Sequence, residues 1–172
     1  KSMRDSRAGP LACEALALLS KAMTQLEVGE LSVASFGQGV DVLHKFDTPF
    51  TDESGCAALT HFTFAQERTQ FAQSVGELMR ILDAARATAA SETQEALQLL
   101  FIISDGRIDD QRAPLKRWLH TATQRNILPV LLICESAELK ATGNSITDLK
   151  QVIYKGGKPS FDSYLENYPF PY

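Results

Sequence analysis

Two continuous apolar runs stand out from the alternation of the rest of the chain, Leu97–Ile103 and Ile127–Ile133. Runs of this length predict strands buried on both faces, which implies a parallel sheet covered by helices. The first run ends abruptly in Ser104-Asp105-Gly106. Asp105 is therefore expected at the carboxyl end of a central strand, the rim where open α/β sheets bind ligands. Gly106 permits a sharp turn there.

The remaining pattern supplies helices and shorter strands. After Pro10, which suits a first helical turn, Leu11, Ala15, Leu18, Leu19, Ala22 and Leu26 recur at helical spacing, and Gly29 stops the run. Leu31–Phe36 and Val40–Phe46 alternate about Gly37-Gln38-Gly39 and predict an antiparallel hairpin. Asp47–Leu59 reads as a loop. A second helix is expected from Thr69 or Gln70, with Phe71, Val75, Leu78, Leu82 and Ala85 as its apolar stripe. A third carries Leu115, Trp118, Leu119 and Ala122. Glu135–Asp148 reads as a loop with a helical turn near Ser145–Leu149, Gln151–Tyr154 as a strand ended by Gly156-Gly157, and Phe161–Tyr168 as a short helix. Strands alternating with helices predict an α/β fold, doubly wound around a mostly parallel sheet with one antiparallel edge strand. One domain is expected, with no internal repeat.

Composition narrows the function classes. The 172 residues are 44% hydrophobic and 22% charged, an ordinary globular balance. A net charge of −4 argues against nucleic acid as the main partner, since neutralising phosphates needs a basic face. Cys13, Cys56 and Cys134 are odd in number and far apart, which favours a reducing compartment and lacks zinc-ligand spacing. No apolar run approaches the roughly 20 residues of a membrane span.

Candidate chemistry concentrates at strand-to-helix transitions. There is no phosphate-binding glycine loop and no Gly-x-Ser-x-Gly elbow. His44, His61 and His120 are scattered and read as surface or strand histidines. Ser2, in the loop before the first helix, Thr69, before the second, and Asp105 offer three hard oxygen ligands on one rim, a set that suits Mg²⁺. Singly, Ser2 and Thr69 also read as helix caps and Asp105 as a turn residue.

Ile103-Ser104-Asp105-Gly106 is similar to the apolar-Ser/Thr-Asp-Gly segment of von Willebrand factor A domains. These carry a metal-ion-dependent adhesion site (MIDAS) on a Rossmann-like sheet. Further segments resemble one branch of that family, the carboxyl-terminal adhesion-site domains of giant dynein-like AAA+ ATPases of 60S ribosome assembly. They are Ala22–Gly29, Val33–Gly37, Phe50–Gly55, Phe62–Thr69 and Tyr164–Tyr172. The resemblance implies that Thr69 and Asp105 are metal ligands, and that Ser2 is the last serine of an Asp-x-Ser-x-Ser loop. The first Asp and Ser of that loop, and the central strand before them, would precede Lys1, so residues 1–172 are expected to be a von Willebrand factor A domain cut at both ends.

The same resemblance implies bound Mg²⁺, or Mn²⁺ or Ca²⁺ in vitro, with a coordination position left for a partner's Glu or Asp. It implies docking of ubiquitin-like domains of pre-60S assembly factors in the nucleolus and nucleoplasm, and no catalysis by this domain itself. Asp47–Thr60 and Arg107–Pro114 are expected to add partner contacts. The competing reading is a Mg²⁺-dependent, phosphatase-like hydrolase using Asp105. An Asp-x-Ser before Lys1 would favour docking, and an Asp-x-Asp hydrolysis.

Overall fold

The structure, a computed structural model, describes residues 3, 8–27, 29–64, 69–89, 96–108, 112–165 and 170. The chain is mixed α/β, with both parallel and antiparallel pairing. Its elements are α1 (Ala8–Gln25), β1 (Val33–Phe36), β2 (Val40–His44), α2 (Asp52–Thr60), α3 (Phe71–Thr88), β3 (Gln98–Ser104), α4 (Arg112–Gln124), β4 (Ile127–Ile133), α5 (Ala137–Ala141), β5 (Lys150–Lys155) and β6 (Lys158–Ser163).

The two apolar runs form the parallel pair. β3 and β4 align without a shift from Gln98↔Ile127 to Ser104↔Ile133, joined through α4. The expected single sheet is instead, among the described residues, three two-stranded sheets: β1–β2 antiparallel, β3–β4 parallel and β5–β6 antiparallel. Nor is the parallel pair buried on both faces. Ile102 and Ile127 enter the core, whereas Leu99 and Leu128, paired on the opposite face, are exposed. The Leu99 face of β3 is left partly open, although Leu99, Phe101 and Ile103 on it are all apolar. Apolarity in such a run reports what a face can be covered by, not what covers it.

The core gathers α3, α4 and the inner face of β3–β4, with Phe71, Val75, Met79, Leu115, Leu119 and Ile127 at its centre. Of the predicted α3 stripe, Phe71, Val75 and Leu82 are buried. The helices approach closely at Gly76, where a Cβ would lie 2.7 Å from Trp118 Cζ2. α1 departs further from its predicted stripe. Leu18 and Leu26 are exposed, and the buried positions are the small Ala8, Gly9, Ala12 and Ser20. Gly9 seats the Phe64 ring, since a Cβ there would meet Phe64 Cδ2 at 2.9 Å. The larger α1 side chains Leu16, Leu19 and Met23 instead border a cavity of about 1110 Å³ that reaches β1, α3 and β3.

Three predicted segments are corrected. Asp47–Leu59 is not all loop, because Asp52–Thr60 is helical. Thr51 Oγ1 accepts from the Ser54 N–H and Ser54 Oγ from the Thr51 N–H, while Asp52 and Glu53 complement the helix dipole. Glu135–Asp148 contains α5 in addition to the expected turn, in which the Asp148 and Leu149 N–H groups bond to Ser145 O. Phe161 starts no helix. Gly156 and Gly157 both take positive φ, 59° and 80°, and this two-residue turn folds β6 back on β5. Residues 166–169 of that predicted helix lie outside the described residues.

Candidate metal centre at the end of strand β3

Asp105 follows the last residue of β3 and is 4% exposed. The strand ends because Gly106, at φ 75°, turns the chain away. The turn is tied down locally. The Arg107 N–H donates to Asp105 Oδ1 at 3.2 Å, and the Gly106 N–H to Ser104 Oγ at 3.3 Å. Asp105 thus serves as the expected turn aspartate, but with one oxygen only. Oδ2 is buried without a hydrogen-bond partner among the described residues. A buried carboxylate oxygen with nothing to accept from is costly, and a cation or a donor supplied from outside relieves that cost.

Thr69 precedes α3 and is exposed. It does not cap the helix: the cap position is Gln70, which makes no side-chain cap bond. The Gln70 N–H instead donates to Gly37 O at 2.8 Å, pinning this segment to the β1–β2 turn. Thr69 and Asp105 border the same cavity, as do Ser35, Met3 and Arg107. Ser2 lies outside the described residues. Asp105 and Thr69 are therefore brought to one cavity, and the third predicted ligand is not described.

No three of His, Cys, Asp and Glu gather in metal-holding geometry among the described residues. A cation here would rest on one carboxylate, with hydroxyls and waters completing its shell, the donor set of a weak hard-cation site. The orphaned Oδ2 fits that role. Of the histidines, only His61 borders this cavity. His44 ends β2, buried against the Phe50 ring, with Nε2 3.1 Å from Thr48 O. His61 and His120 are exposed.

The structure adds two neighbours that single motifs do not show. Cys134 follows β4 as Asp105 follows β3, and its N–H donates to Ser104 O at 2.8 Å. Burial, and then the negative charge of Asp105, push its thiol pKa up. The matching ends of the two apolar runs were the available signal for this adjacency. Tyr164, just after β6, brackets Ile108: its hydroxyl accepts from Ile108 N–H at 2.8 Å and donates to Ile108 O at 3.0 Å. Nothing in the sequence marks that pairing. Arg107 extends the same support, donating to Asn144 O at 3.0 Å.

No protein-family model matches the chain. Midasin of Dictyostelium discoideum is 31% identical over 172 residues, covering 100% of this chain and 3% of that protein. Midasin of Giardia intestinalis is 35% identical over 164 residues, covering 92% of this chain and 3% of that protein. The chain thus spans about 3% of the length of these curated relatives. Matched in this way from end to end, the chain belongs to the midasin family.

Proposed function

We propose that this segment is a von Willebrand factor A domain that binds Mg²⁺ through Asp105, Thr69 and Ser2 and docks a partner's carboxylate onto the ion. The observation that carries the reading is Asp105 Oδ2, buried and unpartnered at the carboxyl end of a parallel strand, beside a cavity that Thr69 also borders. When bound, the ion would supply a positive centre with an exchangeable position. The chain's own residues do the rest. Gly106 turns the backbone aside, Arg107 N–H holds Oδ1, and Oδ2 stays free for the cation.

The fold assignment is supported by the β3–α4–β4 unit, the β1–β2 hairpin and the cavity between them. In the whole protein, which we take to be an AAA+ ATPase of 60S ribosome assembly, the partner is a ubiquitin-like domain of a pre-60S factor. It presents a Glu or Asp, and the setting is the nucleus. The segment binds and does not catalyse; removal of the factor falls to the ATPase ring.

Calorimetric titration of such a ubiquitin-like domain into the full-length protein tests this. Binding in Mg²⁺ and its loss in EDTA are expected, and equal affinity in both would sink the reading. Mg²⁺-dependent hydrolysis of p-nitrophenyl phosphate, abolished by Asp105→Asn, would favour the hydrolase instead.

A further inference from the structure

The β5–β6 hairpin has its polarity reversed. Its register sets Val152 opposite Phe161, Tyr154 opposite Pro159 and Lys150 opposite Ser163. Directly opposed residues share a face, so Val152, Tyr154, Pro159 and Phe161 lie together. That face is turned to solvent: Val152 is 52% exposed, Tyr154 73% and Phe161 71%. The other face, with Gln151, Ile153, Ser160 and Asp162, is the half-buried one. A two-stranded sheet with one solvated face ordinarily presents polar residues outward. Contiguous exposed aromatic and aliphatic side chains instead mark an interaction surface.

The rim indicates the partner. Lys150 is exposed on this face at one end of the patch, and Lys158, which the register puts on the opposite face, is exposed at the hairpin tip, in a chain whose net charge is −4. An apolar patch bordered by Lys150 is complementary to an apolar patch that carries a carboxylate. A second copy would bring lysine against lysine, and a few side chains fall short of the roughly 1,000 Å² that a stable interface needs. Exposed aromatics beside lysines could also stack on RNA bases. Val152 and Pro159, set directly across from Phe161 and Tyr154, make the face a packed aliphatic–aromatic surface and not an aromatic platform.

The hairpin is mechanically continuous with the Asp105 loop. Tyr164, the residue after β6, holds Ile108 by both backbone groups, and its own N–H donates to Leu149 O at 2.8 Å, just before β5. We infer that the Val152–Tyr154–Phe161 face is a second, metal-independent contact for the acidic protein partner whose carboxylate docks beside Asp105. This inference rests on the docking function proposed above.

The test compares wild type, Tyr154→Ser/Phe161→Ser and Asp105→Ala in the full-length protein. Each is titrated with a ubiquitin-like domain of a pre-60S factor, in Mg²⁺ and in EDTA, at two salt concentrations. The hairpin variant should lose at least tenfold in affinity while keeping the wild-type ratio between Mg²⁺ and EDTA, and wild-type binding should weaken at the higher salt, as pairing of Lys150 with a carboxylate requires. Asp105→Ala should remove the Mg²⁺ dependence and leave the hairpin contribution. Wild-type affinity in the hairpin variant overturns the inference, as does a wild type that binds no such domain. Equal wild-type binding in Mg²⁺ and EDTA overturns the metal reading alone, and the hairpin variant still decides this one. Binding of a fluorescent oligouridine that the hairpin variant loses would assign the face to RNA. A concentration-dependent dimer, seen by light scattering and lost in that variant, would assign it to self-association.

Discussion

Tyr164 satisfies both backbone groups of Ile108 with one phenol, accepting from the N–H at 2.8 Å and donating to the carbonyl at 3.0 Å. Ile108 lies three positions beyond Asp105 in the same loop. Loops that carry ligands need such support, because their own backbone groups have no ladder to join. Tyr164→Phe removes both bonds and leaves the ring in place. Unfolding in urea should show a loss of about 1–2 kcal/mol. Mg²⁺-dependent docking should weaken more than that loss explains, since the loop's geometry, and not only its stability, depends on the hydroxyl. Unchanged docking in a destabilised Tyr164→Phe protein would show that the latch serves the fold alone.

Asp105 makes one hydrogen bond, from the Arg107 N–H, and buries its second oxygen without a partner among the described residues. Asp105→Ala therefore removes little that holds the chain together, and relieves the burial of a charge. Stability without divalent cation should stay within about 1 kcal/mol of wild type. Mg²⁺ should protect the wild type against thermal unfolding, and that protection should disappear in Asp105→Ala. A large loss of stability in EDTA would mean that Asp105 is a structural turn residue.

Thr69 is open to two readings on sequence, helix cap or ligand, and its surroundings speak against the cap. The cap position belongs to Gln70, and the Gln70 N–H is fixed by Gly37 O. Loss of a capping side chain costs about 1 kcal/mol, whereas a non-capping exposed hydroxyl costs within about 0.5 kcal/mol. Thr69→Ala should accordingly leave the urea midpoint unchanged and lower Mg²⁺-supported affinity for the partner. The reverse pattern, lower stability with intact affinity, would return Thr69 to a purely local role.

What the sequence disclosed follows from how local each determinant is. The β3 and β4 runs, the β1–β2 hairpin and the α3 face were legible because period and turn chemistry act within a few residues. α2 was hidden by its composition: Ser54, Gly55 and Thr60 read as loop, and only the reciprocal Thr51–Ser54 bonds start the helix. Phe161 looked helical because Gly156-Gly157 reads in sequence as the end of a strand, whereas its positive φ values turn the chain back into a second one. The exposure of Leu99, Leu18 and Phe161 was illegible for a different reason. An apolar residue states a preference for cover, and whether an element supplies that cover is decided far away in the chain. At the site, Asp105 was readable from its motif, but Cys134 and Tyr164 reach it only through parallel register and a contact 56 residues apart.

Cys134 reports on the charge of Asp105. Its thiol pKa is raised, first by burial and then by that carboxylate. A raised pKa in the folded state means that the contribution of this thiol to stability is complete below the ordinary thiol pKa. It is lost as pH rises through the raised value, so the effect belongs to the alkaline side only. At pH near 8.5 iodoacetamide should modify exposed Cys56 before Cys134, because the thiolate is the reacting species. Asp105→Asn removes the second cause, so Cys134 should react faster and its rate profile should move to lower pH. Bound Mg²⁺ should act in the same direction by offsetting the carboxylate's charge. A Cys134 profile indifferent to both would mean that Asp105 and the thiol do not sense one another.

The contact that sets the α3–α4 spacing gives the sharpest test of the core. A Cβ at Gly76 would stand 2.7 Å from Cζ2 and 2.8 Å from Cε2 of Trp118, distances at which something must move. The indole cannot swing aside freely, because it packs against the core beside Leu115 and Leu119, and the α3 backbone at Gly76 is itself buried. Alanine would ordinarily favour a helix over glycine by about 1 kcal/mol. Overpacking at this crossing should outweigh that gain, giving Gly76→Ala a net loss of about 1–3 kcal/mol in urea unfolding. The double change Gly76→Ala with Trp118→Phe should recover part of the loss, since the smaller ring vacates the space a Cβ needs. Stabilisation by Gly76→Ala alone would show that α3 and α4 are not held at this distance.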